Sequence, residues 1–350
     1  MVLLLLMGAA AVAVRASSAE RRYLYVALPG PEDADPDRSV RILVFDTTEG
    51  HRFVRRIPVW PAGKGQDAEV VRGTAAGART GRIYISTTRR LAAIDLKSGA
   101  VVWERSYEDH CCDRVAVSPD GQTIYAPAFG SAKWYVIEAA TGALRSVIGV
   151  TGWPRETIYA RDGRHAYLAA WDSTILSVSD TTSHRVVKTV GPFSASLCPV
   201  TLNAAGTLAF ANVDGLVGFE VGDLQTGLIL DRVAVEGYDK AAAEAFECPS
   251  HGIALTPDGR ELWVADGVRN RLHVFDATVY PPTALMVVEL SAQPRWIAFS
   301  TDGRYAYSST GDIVATATRK IIGALEDSAG GRVKSENFVE IDVVDGAPVR

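Results

Sequence analysis

The sequence contains few of the residues that commonly hold metals or covalently attached cofactors. Four cysteines and six histidines occur among 350 residues, without the Cys-x-x-Cys or Cys-His spacings that are typical of zinc sites and of covalent haem. The Gly-x-Ser-x-Gly turn of serine hydrolases is missing, and so is a glycine loop that leads into a helix and binds phosphate. Motifs therefore identify no enzyme class and leave any cofactor unknown.

A strong charge imbalance and interdomain linkers are also missing. The formal net charge of −5 gives neither a basic stripe for nucleic acid nor a polybasic patch for a membrane surface. No Pro-, Gly- or Ser-rich linker divides the chain, although its length would ordinarily suggest two domains. A repeat fold escapes that size limit because each repeat buries its face against the next one. We therefore expect one large domain with no nucleic-acid partner.

The chain does contain a repeated pattern, in which an apolar strand, a tight turn and a strand with a central aromatic residue follow one another. Its clearest copies run through Ser118-Pro119-Asp120-Gly121 to Tyr125 and through Thr256-Pro257-Asp258-Gly259 to Trp263. The six marker aromatics are Tyr84, Tyr125, Tyr167, Phe210, Trp263 and Tyr307. They are separated by 41, 42, 43, 53 and 44 residues, and repeats of about 40 to 50 residues are typical of propeller blades.

Each copy has the chemistry of a four-stranded antiparallel blade. Proline presets φ at the turn, aspartate accepts local backbone hydrogen bonds, and glycine adopts the left-handed conformation that a tight hairpin needs. A third apolar stretch follows the aromatic strand, as at 272–275, and then a β-branched stretch with the alternation of a half-solvated edge, as at 185–190. A helical pattern is suggested only around 240–246.

The two ends of the chain explain how the blades close into a circle. Three strands are predicted at 23–26, 40–46 and 53–59, but this first blade lacks its inner strand. The stretch from Phe338 to Gly346 can supply it, which removes two free sheet edges. The sequence therefore predicts an all-β fold, a seven-bladed β-propeller of four-stranded blades that is closed by the C-terminal strand.

The N-terminus predicts export. Residues 2–14 are an apolar run, too short for a comfortable membrane span, and Ser17-Ser18-Ala19 follows as a small-residue cleavage site. We therefore divide the chain into a signal peptide at 1–19 and a propeller at 20–350, located in the periplasm or outside the cell, with no stable membrane span in the mature protein. An uncleaved anchor is the alternative, because no Lys or Arg precedes the apolar run and Arg15 follows closely.

The cysteines leave two alternatives open. Cys198 and Cys248 fall near the starts of inner strands in neighbouring blades, so that a disulfide between them is conceivable. Cys111 and Cys112 are adjacent and would bridge only through a strained ring. Free thiols are equally compatible with the sequence, because connectivity cannot be deduced from spacing.

The repeat alignment also predicts a functional site. Twelve residues before each marker aromatic, at the start of each inner strand, stand Arg72, Asp113, Arg155, Cys198, His251 and Arg295. Because inner strands line the central channel, we expect these side chains to meet at one mouth of the channel, with His110, Glu156 and Trp296 beside them. Convergent polar groups are typical of ligand sites, and arginines favour carboxylate or phosphate. The alternative is that strand starts are polar because water fills the channel.

The predicted ligand-binding residues are therefore Arg72, Asp113, Arg155, His251, Arg295 and Trp296. A catalytic version of the same site would use His251 as a general base or metal ligand. His110 and Asp113 are its nearest candidate partners. The sequence does not decide whether the protein is an enzyme, and we predict no metal site.

The repeats resemble a known family. The Ser-Pro-Asp-Gly-x-x-x-Tyr/Trp pattern and turns such as Ala139-Ala140-Thr141-Gly142 look like those of the YVTN-repeat family of exported bacterial propellers. The tetrapeptide that names the family is degenerate here, as in Tyr125-Ala126-Pro127-Ala128. The resemblance covers nearly the whole predicted mature chain. That family is similar in fold to the heavy chain of methylamine dehydrogenase and to the haem d1 domain of nitrite reductases.

The resemblance implies three kinds of function. The first, which we adopt, is an exported propeller that binds a small, anionic ligand or a protein partner at the mouth of its channel. The second is a quinoprotein amine dehydrogenase-like subunit, whose redox cofactor would belong to a separate small chain. The third is a hydrolase or lyase, lactonase-like or polysaccharide lyase-like, with a His-centred channel site.

Overall fold

The computed structural model of the protein describes residues 20–29, 37–63, 69–238 and 247–349. Within these ranges the regular structure is β-strand, apart from short 3-10 turns at Thr47–Glu49 and Ala78–Thr80. None of the described residues belongs to a helix long and apolar enough to cross a membrane. The predicted signal peptide and the helical pattern suggested at 240–246 lie outside the described residues.

The strands of the described ranges form seven antiparallel sheets, which are the seven blades of a propeller. Blade 1 contains β1 (Arg21–Leu28), β2 (Val40–Asp46) and β3 (Arg52–Trp60). Blade 2 contains β4 (Val71–Gly77), β5 (Arg82–Thr87), β6 (Leu91–Asp95) and β7 (Val101–Arg105). Blade 3 contains β8 (Ala116–Val117), β9 (Thr123–Pro127), β10 (Lys133–Glu138) and β11 (Leu144–Gly149).

The remaining blades repeat this arrangement. Blade 4 contains β12 (Pro154–Tyr159), β13 (His165–Ala170), β14 (Leu176–Asp180) and β15 (Arg185–Val190). Blade 5 contains β16 (Leu197–Leu202), β17 (Leu208–Val213), β18 (Gly218–Asp223) and β19 (Ile229–Ala234). Blade 6 contains β20 (Ser250–Leu255), β21 (Glu261–Asp266), β22 (Arg271–Asp276) and β23 (Thr283–Glu289). Blade 7 contains β24 (Ile297–Phe299), β25 (Tyr305–Ser308), β26 (Asp312–Ala315) and β27 (Lys320–Ala324).

The C-terminal strand closes the circle, as the sequence predicts. Strand β28 (Phe338–Val344) pairs antiparallel with β1, with Val339 opposite Tyr25. It also contacts β4 of the next blade, and so takes the place of the missing inner strand. The short β29 (Ala347–Pro348), which the sequence analysis does not predict, adds a fifth strand to this sheet.

The marker aromatics form the packing layer between blades. Tyr84, Tyr125, Trp263 and Tyr307 are fully buried, and Tyr167 and Phe210 nearly so. Tyr84 of blade 2, for example, packs with Ile124 and Tyr135 of blade 3. Burial of a large apolar side chain contributes about 1.5 to 3 kcal/mol. The regular spacing of these aromatics therefore sets the blade repeat.

The tight turns have the chemistry that the sequence predicts. In blade 6 the hydroxyl of Thr256 donates to Oδ1 of Asp258, which also accepts the backbone N–H of Arg260. Gly259 follows with φ of 73°, a left-handed conformation that costs other residues free energy. The Thr256 hydroxyl lowers the pKa of Asp258 because it hydrogen-bonds to the charged carboxylate.

All four cysteines are joined in pairs in the structure. Cys198 and Cys248 form a disulfide between blades 5 and 6 with a Cα–Cα distance of 5.8 Å, which confirms the pairing that the repeat alignment suggested. The adjacent Cys111 and Cys112 are joined to each other and are fully buried. No cysteine is left free.

Candidate functional site at the channel mouth

A cavity of about 410 Å³ lies where the inner strands begin. Side chains from every blade except blade 5 line it. Its size falls within the range of about 300 to 1,000 Å³ that small-molecule sites occupy. This end of the channel, which we call the mouth, is the concave site that the repeat alignment predicts.

Five of the six aligned positions meet in this cavity. The lining includes Arg72, Asp113, Arg155, His251 and Arg295, which are separated by up to 223 residues in the chain. Cys198, at the sixth position, is absent from the lining. Its side chain is turned into the disulfide with Cys248 and is almost fully buried.

The structure supplies the aligned position of blade 1, which the sequence analysis missed. In blade 2 the strand residue opposite Tyr84 is Ala75, three residues after Arg72. In blade 1 the residue opposite Tyr25 is Val339, so that Glu336 takes the corresponding place. Glu336 lines the cavity. It escaped the repeat alignment because blade 1 is built from both ends of the chain.

Glycine lets the strand starts approach each other closely. Gly73 directly follows a mouth residue, and a Cβ there would lie 2.8 Å from the Cα of Arg114 in the next blade. Gly252 has the equivalent place in blade 6, with the Cα of Trp296 at 3.0 Å. The first distance is shorter than real Cβ contacts and the second is tighter than most of them, so a side chain at either position would press on the neighbouring backbone. These two glycines therefore bring the polar side chains of neighbouring blades together around the cavity.

Arg114 and Arg72 in the cavity wall each have a carboxylate partner. Arg114 donates to Glu336 at 2.5 Å, and Arg72 lies 3.8 Å from a carboxylate oxygen of Asp113. Trp296 supports Arg114, whose guanidinium lies 4.3 Å from the centre of the indole ring. These contacts fix two cationic groups in the wall by ion pairing and cation–π attraction.

His251 has one defined tautomer. Its Nδ1 lies 3.0 Å from the carbonyl oxygen of Arg295, which can only accept, so Nδ1 carries the proton. Its Nε2 lies 3.2 Å from an NH2 nitrogen of Arg155, which can only donate, so Nε2 accepts. Burial and the nearby positive charge of Arg155 lower the pKa of His251 to about 3. The imidazole is therefore neutral at ordinary pH, and its lone pair is engaged.

Arg155 differs from Arg72 and Arg114 because it makes no direct ion pair with a described carboxylate. It is half-buried, and within the described ranges no carboxylate lies at ion-pair distance from its guanidinium. The hydrogen bond to neutral His251 leaves most of its five N–H donors unused. Burial, followed by repulsion from Arg114, lowers the pKa of Arg155. These two effects outweigh the attraction by the carboxylates of Asp113, Glu336 and Glu156.

Exposed aromatic side chains form the rim next to Arg155. Trp153 and Trp171 are 47% and 41% exposed, and both line the cavity. The N–H of Trp171 donates to the carbonyl of Trp153, and the N–H of Trp153 donates to Asp172. These bonds join the two loops of blade 4 that carry the indoles. Phe129 of blade 3, 41% exposed, lies under the guanidinium of Arg72 at 4.7 Å.

Three residues that were predicted at or beside the site lie outside the cavity lining. Trp296, one of the predicted ligand-binding residues, supports Arg114 from behind. Glu156 is buried, and its carboxylate accepts the backbone N–H of Val200 in blade 5. His110 is exposed on a loop with φ of 55°. Adjacency in sequence placed them correctly along the chain but did not give the direction of their side chains.

Some lining residues had a signal that sequence reasoning overlooked. Phe129 and Trp171 each stand four residues after a marker aromatic, in blades 3 and 4. The same position holds glycine in blades 6 and 7, at Gly267 and Gly311. Two aromatics at a position that is small elsewhere are a detectable exception to the repeat. Glu247 had no such signal, because it lies in the longest interval between markers.

The chemical groups of the cavity are mainly hydrogen-bond donors and acceptors with aromatic rings beside them. His251, the one lining histidine, uses both ring nitrogens in hydrogen bonds to fixed partners. Among the described residues, no group of three or more His, Cys, Asp or Glu side chains is arranged to hold a metal ion. The cavity instead presents guanidinium donors, carboxylate acceptors and apolar ring faces. Such donors and acceptors can hydrogen-bond to a small polar molecule, and the guanidinium groups can pair with negative charge.

Comparison with known proteins supports the fold. No protein-family model and no curated protein matches the chain. Among solved structures, hydrazine synthase from Kuenenia stuttgartiensis is similar with a TM-score of 0.64 and 16% identity, over 79% of this chain and 90% of that one. The β-propeller domain of Cps50 (Swd1) from Myceliophteria thermophila is similar with a TM-score of 0.60 and 9% identity, over 84% and 94%. The resemblance to the YVTN-repeat family stays a prediction.

Proposed function

We propose that this protein is an exported propeller that binds a small anionic ligand at the channel mouth. The observation that carries the proposal is Arg155, a half-buried guanidinium that points into the cavity and has no carboxylate at ion-pair distance among the described residues. A partly buried guanidinium that makes no direct ion pair is incompletely compensated, although Asp113, Glu336 and Glu156 attract it from further away. An anion that enters the cavity would complete this compensation and accept the unused N–H donors.

Export remains part of the proposal through the apolar N-terminal run. A disulfide between Cys198 and Cys248 is consistent with it, because disulfides persist in oxidising compartments. Membership of the YVTN-repeat family is proposed on the Ser-Pro-Asp-Gly and marker aromatic repeats alone.

Arg155→Ala tests the proposal most directly. Hydrogen bonds to charged groups contribute about 1.5 to 3 kcal/mol, so the variant should bind its anion at least about tenfold more weakly. Isothermal titration calorimetry with galacturonate, benzoate and inorganic phosphate measures this on the full chain.

Arg145→Ala is the matched control. Arg145 is exposed on β11, where it pairs with Glu138, so this change removes the same charge away from the cavity. It should leave the affinity within about twofold, because surface charges are largely screened by salt. Equal loss in both variants would indicate a nonspecific charge effect, and equal affinity of Arg155→Ala and wild type for every probe would refute the proposal.

A further inference from the structure

We propose that the ligand is a uronic acid, a sugar ring that bears one carboxylate, bound with its carboxylate on Arg155 and a ring face on Trp153 or Trp171. The inference rests on the proposed function and narrows it to one chemical class. Three features of the described residues carry it: the carboxylates that oppose a doubly charged ligand, the exposed indole faces, and the acceptor positions of Asp113 and Glu336.

The charged wall favours a ligand with one negative charge. Arg155 provides a cation for it, and Asp113, Glu247 and Glu336 line the cavity as well. A monocarboxylate brings one negative charge to this wall, whereas a phosphate monoester brings close to two to a wall that already contains three carboxylates.

The indoles indicate a ligand with a flat or weakly polar face. Trp153 directly precedes β12, which carries Arg155, and Trp171 directly follows the neighbouring strand β13. They are the two most exposed tryptophans of the chain. No ring or cation lies against either indole within the described residues, unlike Phe129 and Trp296, which each support an arginine. An unshared aromatic face beside a cation suits a ring that has an axial C–H face and a charged substituent.

The carboxylates distinguish a sugar acid from an aromatic acid. Asp113 and Glu336 each contact one arginine at the distances described above, and a carboxylate has about four acceptor positions. The hydroxyl groups of a sugar can donate to the remaining positions. A benzoate-like ring would displace water from the same oxygens without replacing the hydrogen bonds, which is unfavourable.

Titration calorimetry of the full chain with four probes tests the inference. Galacturonate has the ring, hydroxyls and carboxylate; galactose lacks the carboxylate; benzoate lacks the hydroxyls; inorganic phosphate lacks the ring. We expect galacturonate to bind at least tenfold more tightly than each of the other three. Trigalacturonate, compared with the monomer, distinguishes the end of a polysaccharide from a free sugar acid as the source.

Two tryptophan variants locate the ring. Trp153→Ala and Trp171→Ala are each expected to weaken galacturonate binding, and the indole that carries the sugar should show a loss of fivefold or more. Tyr280→Ala is the control, because Tyr280 is a similarly exposed aromatic at the opposite end of blade 6. Acrylamide quenching of wild-type fluorescence should fall when galacturonate binds, since these indoles are the most accessible ones.

The outcomes separate this inference from the proposed function. If benzoate or phosphate binds as tightly as galacturonate and Arg155→Ala abolishes that binding, the anion site stands and the uronic acid assignment is wrong. Unchanged affinity for galacturonate in both tryptophan variants would also overturn it. If no probe binds in an Arg155-dependent way, the proposed function fails as well.

Discussion

The two ends of the inner strands differ in how their polar side chains are satisfied. At the tight-turn end, three blades form the same side-chain hydrogen bond within the turn itself. The hydroxyls of Ser118, Thr256 and Ser300 donate to the aspartates two residues later, in blades 3, 6 and 7. At the mouth, the side-chain bonds of Arg155 and Arg114 run between blades and differ in their partners.

The mouth shows this variation at equivalent positions. Arg155 of blade 4 reaches His251 of blade 6, across blade 5, whose own mouth residue Cys198 is small and turned away. Arg114 of blade 3 reaches Glu336 beside the closing strand of blade 1. Residues that recur from blade to blade therefore build the blades. Residues that differ at equivalent positions line the cavity at the mouth.

Loss of the closing strand β28 should lower the stability of the protein more than any other change. This is because the deletion affects both the tight-turn end and the mouth. Deletion of residues 336–350 removes β28 from blade 1 and Glu336 and Asn337 from the cavity. We expect the melting temperature to fall by about 10 °C or more, since several kcal/mol of packing are lost. Deletion of residues 345–350, which leaves β28 whole, should cost much less. Equal melting of the long deletion and the wild type would show that β28 does not hold the circle closed.

Removal of the disulfide at the mouth should have the next largest effect on stability. Cys198 and Cys248 are separated by 50 residues, and a bridge of this span contributes about 4 kcal/mol by restricting the unfolded chain. The double replacement by alanine should lower the free energy of unfolding by roughly this amount in denaturant titrations. A reducing agent should destabilise the wild type strongly and this variant little. If the reducing agent lowers the stability of the wild type and of the variant equally, the disulfide between blades 5 and 6 does not stabilise the protein.

His251, at the mouth, should make the stability of the protein depend on pH. Its pKa of about 3 in the folded state lies below the ordinary value of 6.5, so below pH 6.5 the unfolded chain takes up a proton that the folded protein does not. Stability should therefore fall with acid, by up to about 1.4 kcal/mol per pH unit from this group, until pH 3.

His251→Asn should reduce this acid slope, measured as the free energy of unfolding between pH 4 and 7. Above pH 7 the wild-type and variant curves should run parallel, because the imidazole is neutral in both states. Parallel curves below pH 6 would contradict the assignment of a buried, neutral histidine.

Gly259→Val at the tight-turn end should have the smallest effect. A Cβ at this position would meet no atom within 4 Å, so the cost comes from φ of 73° and is about 1 to 2 kcal/mol. Gly259→Asn, which tolerates the left-handed conformation better, should cost less. Neither change should alter ligand affinity, because the turn lies at the opposite end of the channel. A change in affinity would show that the tight-turn end and the mouth do not act independently.

Much of the fold could be predicted from the sequence because its signals are local and repeated. Tyr125 and Trp263 recur at blade intervals, and Asp258-Gly259 encodes its turn within a few residues. The alignment of these signals also placed Arg155 and His251 at one mouth. It could not place Glu336, since blade 1 combines distant segments, nor show that Trp296 supports Arg114 instead of lining the cavity.

The amino-acid order alone determined the all-β repeat, the number of blades and the circle of strand starts, because turn chemistry and strand alternation act between near neighbours. Only the tertiary structure decided which cations have counter-ions, which tautomer His251 adopts and which indoles remain open. The physical reason is that the field and solvation at each mouth residue come from other blades. Charges on Arg155 and Glu336 become neighbours only when the circle closes.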